Sequence, residues 1–475
     1  MPLSSSTIQK RRIYLILLTI ANVFILSSVY IAYNGPPHAI LPTSLSWSSE
    51  TSSPPSLSES LRLSTQHGSA ASTQWTPLRL HSCEFAMPPY YAPCAAQKLQ
   101  HVAYAEELIY PDFEIREPYF AKDEHRDAWR AATSDISERA VLDSGWMAYR
   151  GQTGQNFVFN DVKYSASWNL DSWSPESCMS SLISTTSIQP LSHQEKAADT
   201  LLPVVTIAHS PDSYSFQHHL DRVTHIIAQG AHLLHGLQRP YAATGRRGPQ
   251  RVQDLWARMG YDEEHVLYDQ QEVEAETIVF SCRAVLIHPW LSLKTLELFG
   301  IEHDLPHSGK RTKVVYMTRS DGRALNRGRQ IVNEEQVLDG IRALLAERGR
   351  GEELVVFNPE NFKTTDELFS WFNQNVAAVI GPHGGAMINH RWAAKGTLVL
   401  EMLPTTRVSM MIFEEASVLS QTYAAIVVPP TQPEGTDMEV DVRDVVELLQ
   451  KHLGIPGEDP LRRGYHWRAK ELGLN

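Results

Sequence analysis

A glycine-rich segment in the second half of the chain carries residue types that can bind an anion. Gly381, Gly384 and Gly385 surround His383, directly after the apolar run Ala377–Ile380. Glycines at the end of a buried strand let the backbone approach a ligand closely, and a helix that opens near Gly385 adds its positive dipole end. His383 can donate one further hydrogen bond. The pattern predicts a binding site for the diphosphate of a nucleotide.

Two further segments support a nucleotide ligand. Leu398–Glu401 predicts the next strand, and the carboxylate of Glu401 can accept hydrogen bonds from ribose hydroxyls. Lys313–Thr318 predicts another strand, and a loop with four arginines follows it. Arg319 and Arg329 lie at the two ends of that loop. One guanidinium group can bind two phosphate oxygens at once without a metal ion. We expect these side chains to line the same crevice as the glycine loop.

A candidate catalytic base lies in the first half of the chain. A predicted strand precedes the helix Ser213–Gln229, whose early turns contain His218, His219 and Asp221. An imidazole or carboxylate near a helix start that opens toward a crevice can accept a hydroxyl proton. His218, Asp221 and His225 share one helical face, but the next histidine is two turns away, so a metal site is not expected. All three of His218, His219 and Asp221 remain candidates for the base.

Alternating strand and helix signals predict how these residues are positioned. In the second half the predicted elements are Lys313–Thr318, a helix from Glu334 to Glu347 capped by Asn333, Glu353–Phe357, a helix from Thr365 to about Gln374, and the two strands named above. This order predicts a parallel, doubly wound sheet. In the first half the strand-like segments are Ala140–Tyr149, Asn156–Val162 and Leu202–Ala208. The whole therefore reads as an α/β protein with two Rossmann-like domains.

The amino terminus predicts a membrane anchor. Ile13–Ala32 is uncharged and about 20 residues long, the length that spans the hydrocarbon core of a bilayer. Lys10, Arg11 and Arg12 precede it, which favours a cytoplasmic amino terminus and a lumenal remainder. We expect a single-pass type II protein of the Golgi or endoplasmic reticulum membrane. A cleaved signal peptide is the alternative.

The predicted organisation divides the chain at changes of composition. The expected segments are a cytoplasmic tail at 1–12, a transmembrane signal anchor at 13–32, a Ser/Thr/Pro-rich stem at 33–80, an amino-terminal Rossmann-like domain at 81–305, a carboxyl-terminal Rossmann-like domain at 306–430 and a tail at 431–475. We expect the carboxyl-terminal tail either to fold back on the first domain or to remain mobile.

The charge and the cysteines of the chain indicate which binding sites and crosslinks to expect. A net charge of −12 and a sequence pI of about 5.9 argue against binding nucleic acid through its phosphates. The four cysteines lack the paired short spacing of a zinc site. A lumenal protein permits two disulfides, and we expect Cys83 to pair with Cys94 by proximity and Cys178 with Cys282 by default, with free buried thiols as the alternative.

Taken together and in this order, the three clusters resemble family 61 glycosyltransferases. That family has a Gly-x-His-Gly-Ala/Gly loop after an apolar strand, a following strand that ends in Glu, and an upstream Thr-Arg, arginine and Asn-Glu pattern. The matching residues are Gly381, His383, Gly384, Gly385, Glu401, Thr318, Arg319, Arg329, Asn333 and Glu334. The resemblance covers about residues 203–404.

The resemblance implies a GT-B architecture, in which two Rossmann-like domains face a cleft. It also implies an inverting transfer of a sugar, xylose or N-acetylglucosamine being expected, from a UDP-sugar to a glycan or glycoprotein acceptor. The UDP-sugar is a co-substrate, and no further cofactor and no obligatory metal ion are expected, in keeping with the lack of an Asp-x-Asp sequence.

The same resemblance assigns roles to the candidate residues. Asp221, with His218 or His219, is expected to be catalytic, and the residues expected to bind the nucleotide sugar are Arg319, Arg329, His383, Gly384, Gly385 and Glu401. One position departs from the family, since many relatives have histidine where Gln217 stands. Two alternatives stay open: a catalytically inactive, membrane-anchored carbohydrate-binding or scaffold protein of the same fold, and a hydrolase that uses His218 or His383.

Overall fold

A computed structural model describes residues 75–83, 91–134, 140–141, 145–149, 153–165, 188–196, 201–210, 213–237, 239–282, 287–303, 311–320, 322, 328–455 and 457–463. The predicted cytoplasmic tail, the predicted anchor and the stem up to residue 74 lie outside these ranges, and so does the predicted domain boundary between residues 305 and 306. Within the ranges, no helix has both the length and the apolar character that a membrane span requires.

Strands and helices alternate along most of the chain. The strands are β1 (Leu78–Leu80), β2 (Val102–Ile109), β3 (Phe113–Arg116), β4 (Ala140–Val141), β5 (Trp146–Tyr149), β6 (Thr153–Ser165), β7 (Ile188–Pro190), β8 (Leu202–Ile207), β9 (Tyr241–Thr244), β10 (Val266–Tyr268), β11 (Glu272–Cys282), β12 (Lys313–Tyr316), β13 (Glu353–Val356), β14 (Val376–Pro382), β15 (Leu398–Pro404), β16 (Thr422–Val428) and β17 (Leu461–Arg463).

The α-helices are α1 (Ala92–Ala96), α2 (Asp123–Thr133), α3 (His193–Lys196), α4 (Phe216–His218), α5 (Thr224–Gly230), α6 (Gln250–Arg258), α7 (Pro289–Leu298), α8 (Glu334–Arg348), α9 (Thr365–Asn375), α10 (Met411–Val418) and α11 (Val442–His452). A π-helix, His219–Val223, joins α4 to α5. Short 3₁₀ helices occupy Ala231–Leu233, Glu263–His265, Pro359–Asn361 and Gly385–Trp392.

The second half forms the predicted parallel sheet. Its strand order is β13-β12-β14-β15-β16, and every neighbouring pair is parallel. Numbered along the chain this order is 2-1-3-4-5, which places the topological switch point between β12 and β14. Strands β14 and β15 are apolar and almost fully buried because helices cover both faces of the sheet. The loops after β12 and β14 therefore open on one crevice.

The first half contains a mixed sheet rather than an all-parallel one. Strands β11, β8, β9 and β10 are parallel neighbours, as a Rossmann-like domain requires. The flank made of β1, β2, β6 and β7 is antiparallel. A further antiparallel sheet has the order β17-β3-β5-β4. The predicted α/β class is confirmed, whereas the antiparallel strands of the first half were not predicted.

The predicted helix 213–229 is present but has a different internal geometry. It begins at Phe216, where the Ser215 side chain caps it by accepting from the His218 N–H, and it widens into the π-helix before α5. A π-turn inserts one residue into the helical path, so it changes the direction of the side chains that follow it. The apolar periodicity predicted a helix here but carried no signal for this insertion.

Two helices of the second half begin where they were predicted, at Glu334 and Thr365, but the expected cap of α8 is not formed. The Asn333 side chain does not cap α8; instead its amide pairs with both backbone groups of Val440. Helix α9 is capped by Thr364, whose hydroxyl accepts from the Glu367 N–H. Asn333 does not cap α8 because the segment after residue 431 packs back onto the parallel sheet and brings Val440 to the Asn333 side chain.

One of the two expected disulfides lies wholly in the described residues. Cys83 and Cys94 are bonded, with their Cα atoms 4.6 Å apart. This confirms the pairing that was predicted from proximity. Cys282 is also disulfide-bonded, which rules out a free thiol at that position. Cys178 lies outside the described residues.

Candidate active site

The glycine loop is built around a buried hydrogen-bond chain. His383 Nδ1 donates to Glu401 Oε1 over 2.7 Å, and the Tyr423 hydroxyl donates to the other carboxylate oxygen. The Glu401 carboxylate is fully buried. Burial, the negative charge of Glu401 and the hydrogen bond to it hold the pKa of Tyr423 well above its ordinary value, so this hydroxyl stays protonated. Glu401 thus orients the His383 ring.

This geometry changes the role expected of Glu401. The sequence indicated a carboxylate that accepts from ribose hydroxyls. Its two oxygens are instead engaged by His383 and Tyr423, and no part of the side chain is exposed. Because Nδ1 carries the proton given to the carboxylate, Nε2 is the His383 nitrogen left for a ligand, and none of the described residues hydrogen-bonds it.

Arg319 lies directly against the glycine loop. A Cβ atom at position 384 would overlap its guanidinium, so glycine at 384 makes room for the arginine. Arg319 Nε donates to the Gly328 carbonyl over 2.9 Å. Glycine is equally required at Gly381, where a Cβ would come within 2.6 Å of the Met317 carbonyl oxygen. The strand ends of β12 and β14 therefore bring Arg319 and the His383 loop together, as predicted.

Arg329 is the least ordinary side chain of the site. It is only 2% exposed, and its Nε and Nη2 atoms are buried without a hydrogen-bond partner among the described residues. Its backbone is left-handed, with φ of 61°, directly after Gly328 with φ of 86°. A non-glycine residue in this region costs on the order of 1–3 kcal/mol, and such strain persists where the surroundings enforce it. Thr436 Oγ1 holds the strained turn by accepting from the Arg329 N–H.

Three arginines concentrate positive charge at this sheet edge. Burial, followed by the charges of Arg319 and Arg407, lowers the pKa of Arg329 to about 10, although Glu401 opposes the shift. Burial and then Arg407 likewise lower the pKa of Arg319, with Asp437 acting in the opposite direction. The guanidinium charges of Arg319, Arg329 and Arg407 therefore repel one another until an anion compensates them.

The candidate base lies on the π-helix. Asp221 is largely buried, and its carboxylate lies 3.5 Å from His218 Nδ1 and 3.6 Å from Arg222 Nε. His218 is about one-third exposed. His219 is fully buried and packs edge-on against Trp256, and burial lowers its pKa to about 3. Because a core imidazole cannot reach a substrate hydroxyl, only Asp221 and His218 remain as candidates.

The two halves of the site meet at the start of α4. The nearest atom to a Cβ built at Gly385 is the Gln217 side-chain oxygen, at 3.5 Å. The Gln217 amide nitrogen donates to the Met411 sulfur over 2.9 Å. Gln217 stands one turn before Asp221 on the same helix. The helix that carries the candidate base therefore abuts the glycine loop.

Several residues of the site were not identified from the sequence. Arg407 follows β15 by three residues, and the rule that parallel strands end at one edge would have found it. Tyr423 and Thr436 carry no sequence signal, because each is a common residue inside an ordinary strand or loop. Gln217 was noted only as a departure from the family pattern. The described residues contain no cluster of three histidine, cysteine or acidic side chains that would hold a metal ion.

We predict that Tyr423→Phe lowers the free energy of unfolding by about 1–3 kcal/mol, because it leaves a buried carboxylate oxygen of Glu401 without its donor. Urea denaturation followed by circular dichroism measures the change. Tyr261→Phe is the matched control, since the Tyr261 hydroxyl is equally buried and has no hydrogen-bond partner among the described residues. Equal losses in the two variants would contradict the importance of the Glu401 chain.

Comparison with known proteins agrees with this geometry. The Glycosyltransferase 61 family model matches residues 179–400, a stretch that contains the π-helix, Arg319, Arg329 and the His383 loop. A search of curated proteins finds no match to the chain. The match over residues 179–400 supports the resemblance to glycosyltransferase family 61.

Proposed function

We propose that this protein transfers a sugar from a UDP-sugar to a hydroxyl group of a glycan or glycoprotein, with inversion at the anomeric carbon and without an obligatory metal ion. The observation that carries the proposal is Arg329, whose backbone is strained and whose guanidinium has two buried nitrogens without a hydrogen-bond partner among the described residues. An ionised group that is buried without a partner costs several kcal/mol, so a protein retains one where a ligand completes it. The diphosphate of a nucleotide sugar has the charge and the oxygens to do so.

The surroundings of Arg329 fit a diphosphate better than a single carboxylate. Arg319 and Arg407 add two further cations at the same edge of the parallel sheet. His383, held by Glu401, adds a ring nitrogen, and the 3₁₀ helix that begins at Gly385 adds backbone N–H groups. Fixed donors of this kind supply the charge that a bound divalent ion would otherwise provide.

The proposed reaction is a single displacement. The acceptor oxygen forms a bond to the anomeric carbon while the bond from that carbon to the diphosphate oxygen breaks. Asp221 takes the hydroxyl proton, and His218, at 3.5 Å, orients and polarises the carboxylate. The negative charge that develops on the leaving diphosphate lies beside Arg319 and Arg329. Inversion follows because attack and departure occur on opposite sides of the carbon.

The arrangement of the two sheets supports a GT-B architecture. The candidate base follows β8 of the first-half sheet, whereas the arginine loop and the glycine loop follow β12 and β14 of the second-half sheet. In open α/β sheets ligands bind outside the carboxyl ends of the strands. We further propose xylose or N-acetylglucosamine as the sugar, and a type II anchor in the Golgi or endoplasmic reticulum membrane at Ile13–Ala32.

The direct test measures UDP release from a panel of UDP-sugars, with and without acceptor glycans, in the presence of EDTA. Acceptor-stimulated release in EDTA supports the proposal. UDP-sugar binding without any release indicates an inactive carbohydrate-binding protein, and cleavage of glycans without a sugar nucleotide indicates a hydrolase. Either of these last two results would overturn the proposed activity.

We predict that Arg319→Ala weakens UDP binding by roughly 1.5–3 kcal/mol, the scale of a charged hydrogen bond. Titration calorimetry measures the affinity. Arg311→Ala is the matched control, because Arg311 is also partly buried but precedes β12, at the opposite end of the strand. UDP affinity that is unchanged in Arg319→Ala, or equally reduced in both variants, would reject this role.

We predict that Asp221→Asn abolishes sugar transfer while UDP binds nearly as before, because an amide cannot accept the hydroxyl proton. Turnover and UDP affinity are measured on the same preparation. Asp254→Asn serves as the control, since Asp254 is another helical carboxylate of the first half and accepts from Thr365 in the second. Turnover that persists in Asp221→Asn removes Asp221 from the mechanism.

A further inference from the structure

A buried arginine links the two parts of the site. Arg391 lies near the end of the 3₁₀ helix that begins at Gly385, and it is only 1% exposed. Its Nε and Nη2 atoms each lie 2.8 Å from Glu415 Oε1 in α10. The other oxygen of Glu415 accepts from the Ser292 hydroxyl in α7 over 3.1 Å. The charge of Arg391 is therefore already compensated within the core.

The third nitrogen of Arg391 reaches the π-helix. Nη1 donates to the Leu220 carbonyl over 2.9 Å, and Leu220 stands directly before Asp221. The Leu220 carbonyl also accepts from the Thr224 hydroxyl, while the Thr224 N–H bonds the His219 carbonyl in the π pattern. The widened turn thus presents a backbone oxygen to a side chain from the second half. An ordinary α-helical turn would use that oxygen within the helix.

This contact ties the candidate base to the glycine loop through one short element. The 3₁₀ helix carries Gly385 at its first residue and Arg391 at its seventh. At its start it lies against Gln217, and near its end it holds the Leu220 carbonyl. Contacts with Gln217 and with the Leu220 carbonyl therefore fix the distance between Asp221 and the His383 loop. A displacement of about 1 Å between reacting groups can lower a rate by about 100-fold.

We infer that Arg391 is a positioning residue: it fixes the π-helix that carries Asp221 relative to the glycine loop around His383. The inference rests on the proposed function. It assigns Arg391 no contact with substrate, so its loss should lower kcat and leave UDP affinity unchanged. A role in folding alone would instead lower stability without a specific loss of kcat.

Arg391→Lys in the full-length chain tests this inference. Lysine keeps the positive charge beside Glu415, but its single nitrogen cannot serve both Glu415 and the Leu220 carbonyl. We expect kcat to fall at least tenfold, while the Kd for UDP changes less than twofold. Amide hydrogen exchange across 216–230 should become faster in this variant.

Arg348→Lys is the matched control. Arg348 is largely buried, with 9% of its side chain exposed. It pairs with Glu352 through Nε and Nη2 at 2.7 and 2.8 Å and donates to the Leu453 carbonyl over 2.9 Å. It joins α8 to the end of α11, away from the site, so its variant should lose stability without loss of kcat. Equal kcat in the two lysine variants would overturn the inference while leaving the proposed function intact.

The exchange measurement keeps the inference testable if the proposed function fails. Should the wild-type chain turn over no UDP-sugar, Arg391→Lys must still accelerate exchange across 216–230 relative to Arg348→Lys. Unchanged exchange in that segment would overturn the positioning role, whatever the activity of the protein.

Discussion

The structure of the site depends on keeping a positive charge in a place where water cannot stabilise it. Arg329 is buried, has two guanidinium nitrogens that no described residue hydrogen-bonds, and is held in a left-handed turn by Thr436. Arg319 and Arg407 add like charges that make its ionised form less favourable. Glu401 is the nearby opposing charge, but its oxygens are engaged by His383 and Tyr423. The edge of the sheet is therefore charged in advance of any ligand, which lowers the reorganisation that binding an anion requires.

Sheet topology explains why these groups converge although they are far apart in sequence. The order 2-1-3-4-5 makes β12 and β14 neighbours, so the loops that follow them share the crevice at the switch point. Steric limits then select glycine where the backbone or a guanidinium passes closely, at Gly381 and Gly384. Gly381 is required for the fold, because a side chain there would meet the backbone carbonyl of Met317. Gly384 is required for the site, because a side chain there would displace the movable end of Arg319.

The sequence predicted the elements of the second half well because their signals are local. Buried parallel strands are apolar throughout, and the helices between them have the length and flanking residues that mark their ends. Arg319 and His383 could be placed at one edge since each follows such a strand. The roles of Glu401 and Asn333 were not predictable, because each was decided by a partner distant in the chain, Tyr423 and Val440.

The first half was harder to predict for a related reason. Its antiparallel strands pair over long separations, and their alternation is weak where both faces are covered. The burial of His219 depends on Trp256, and the π-turn depends on contacts that include Arg391 from the second half. Three histidine or aspartate candidates in adjacent turns look equivalent in sequence. Only packing distinguishes a core imidazole from a carboxylate that lies beside His218.

The functional unit extends beyond the segment that matches the family. Residues 179–400 include Arg319, Arg329 and His383, but Glu401 is the next residue, and Arg407, Glu415 and Tyr423 follow. Thr436 and Asp437 fix the arginine loop through hydrogen bonds to the backbone of residues 329 and 330. The strain at Arg329 is therefore enforced from the segment that the sequence had assigned to a tail. A chain that ended at residue 400 would keep Arg319 and Arg329 but would lose Arg407 and the groups that hold the other two arginines in place.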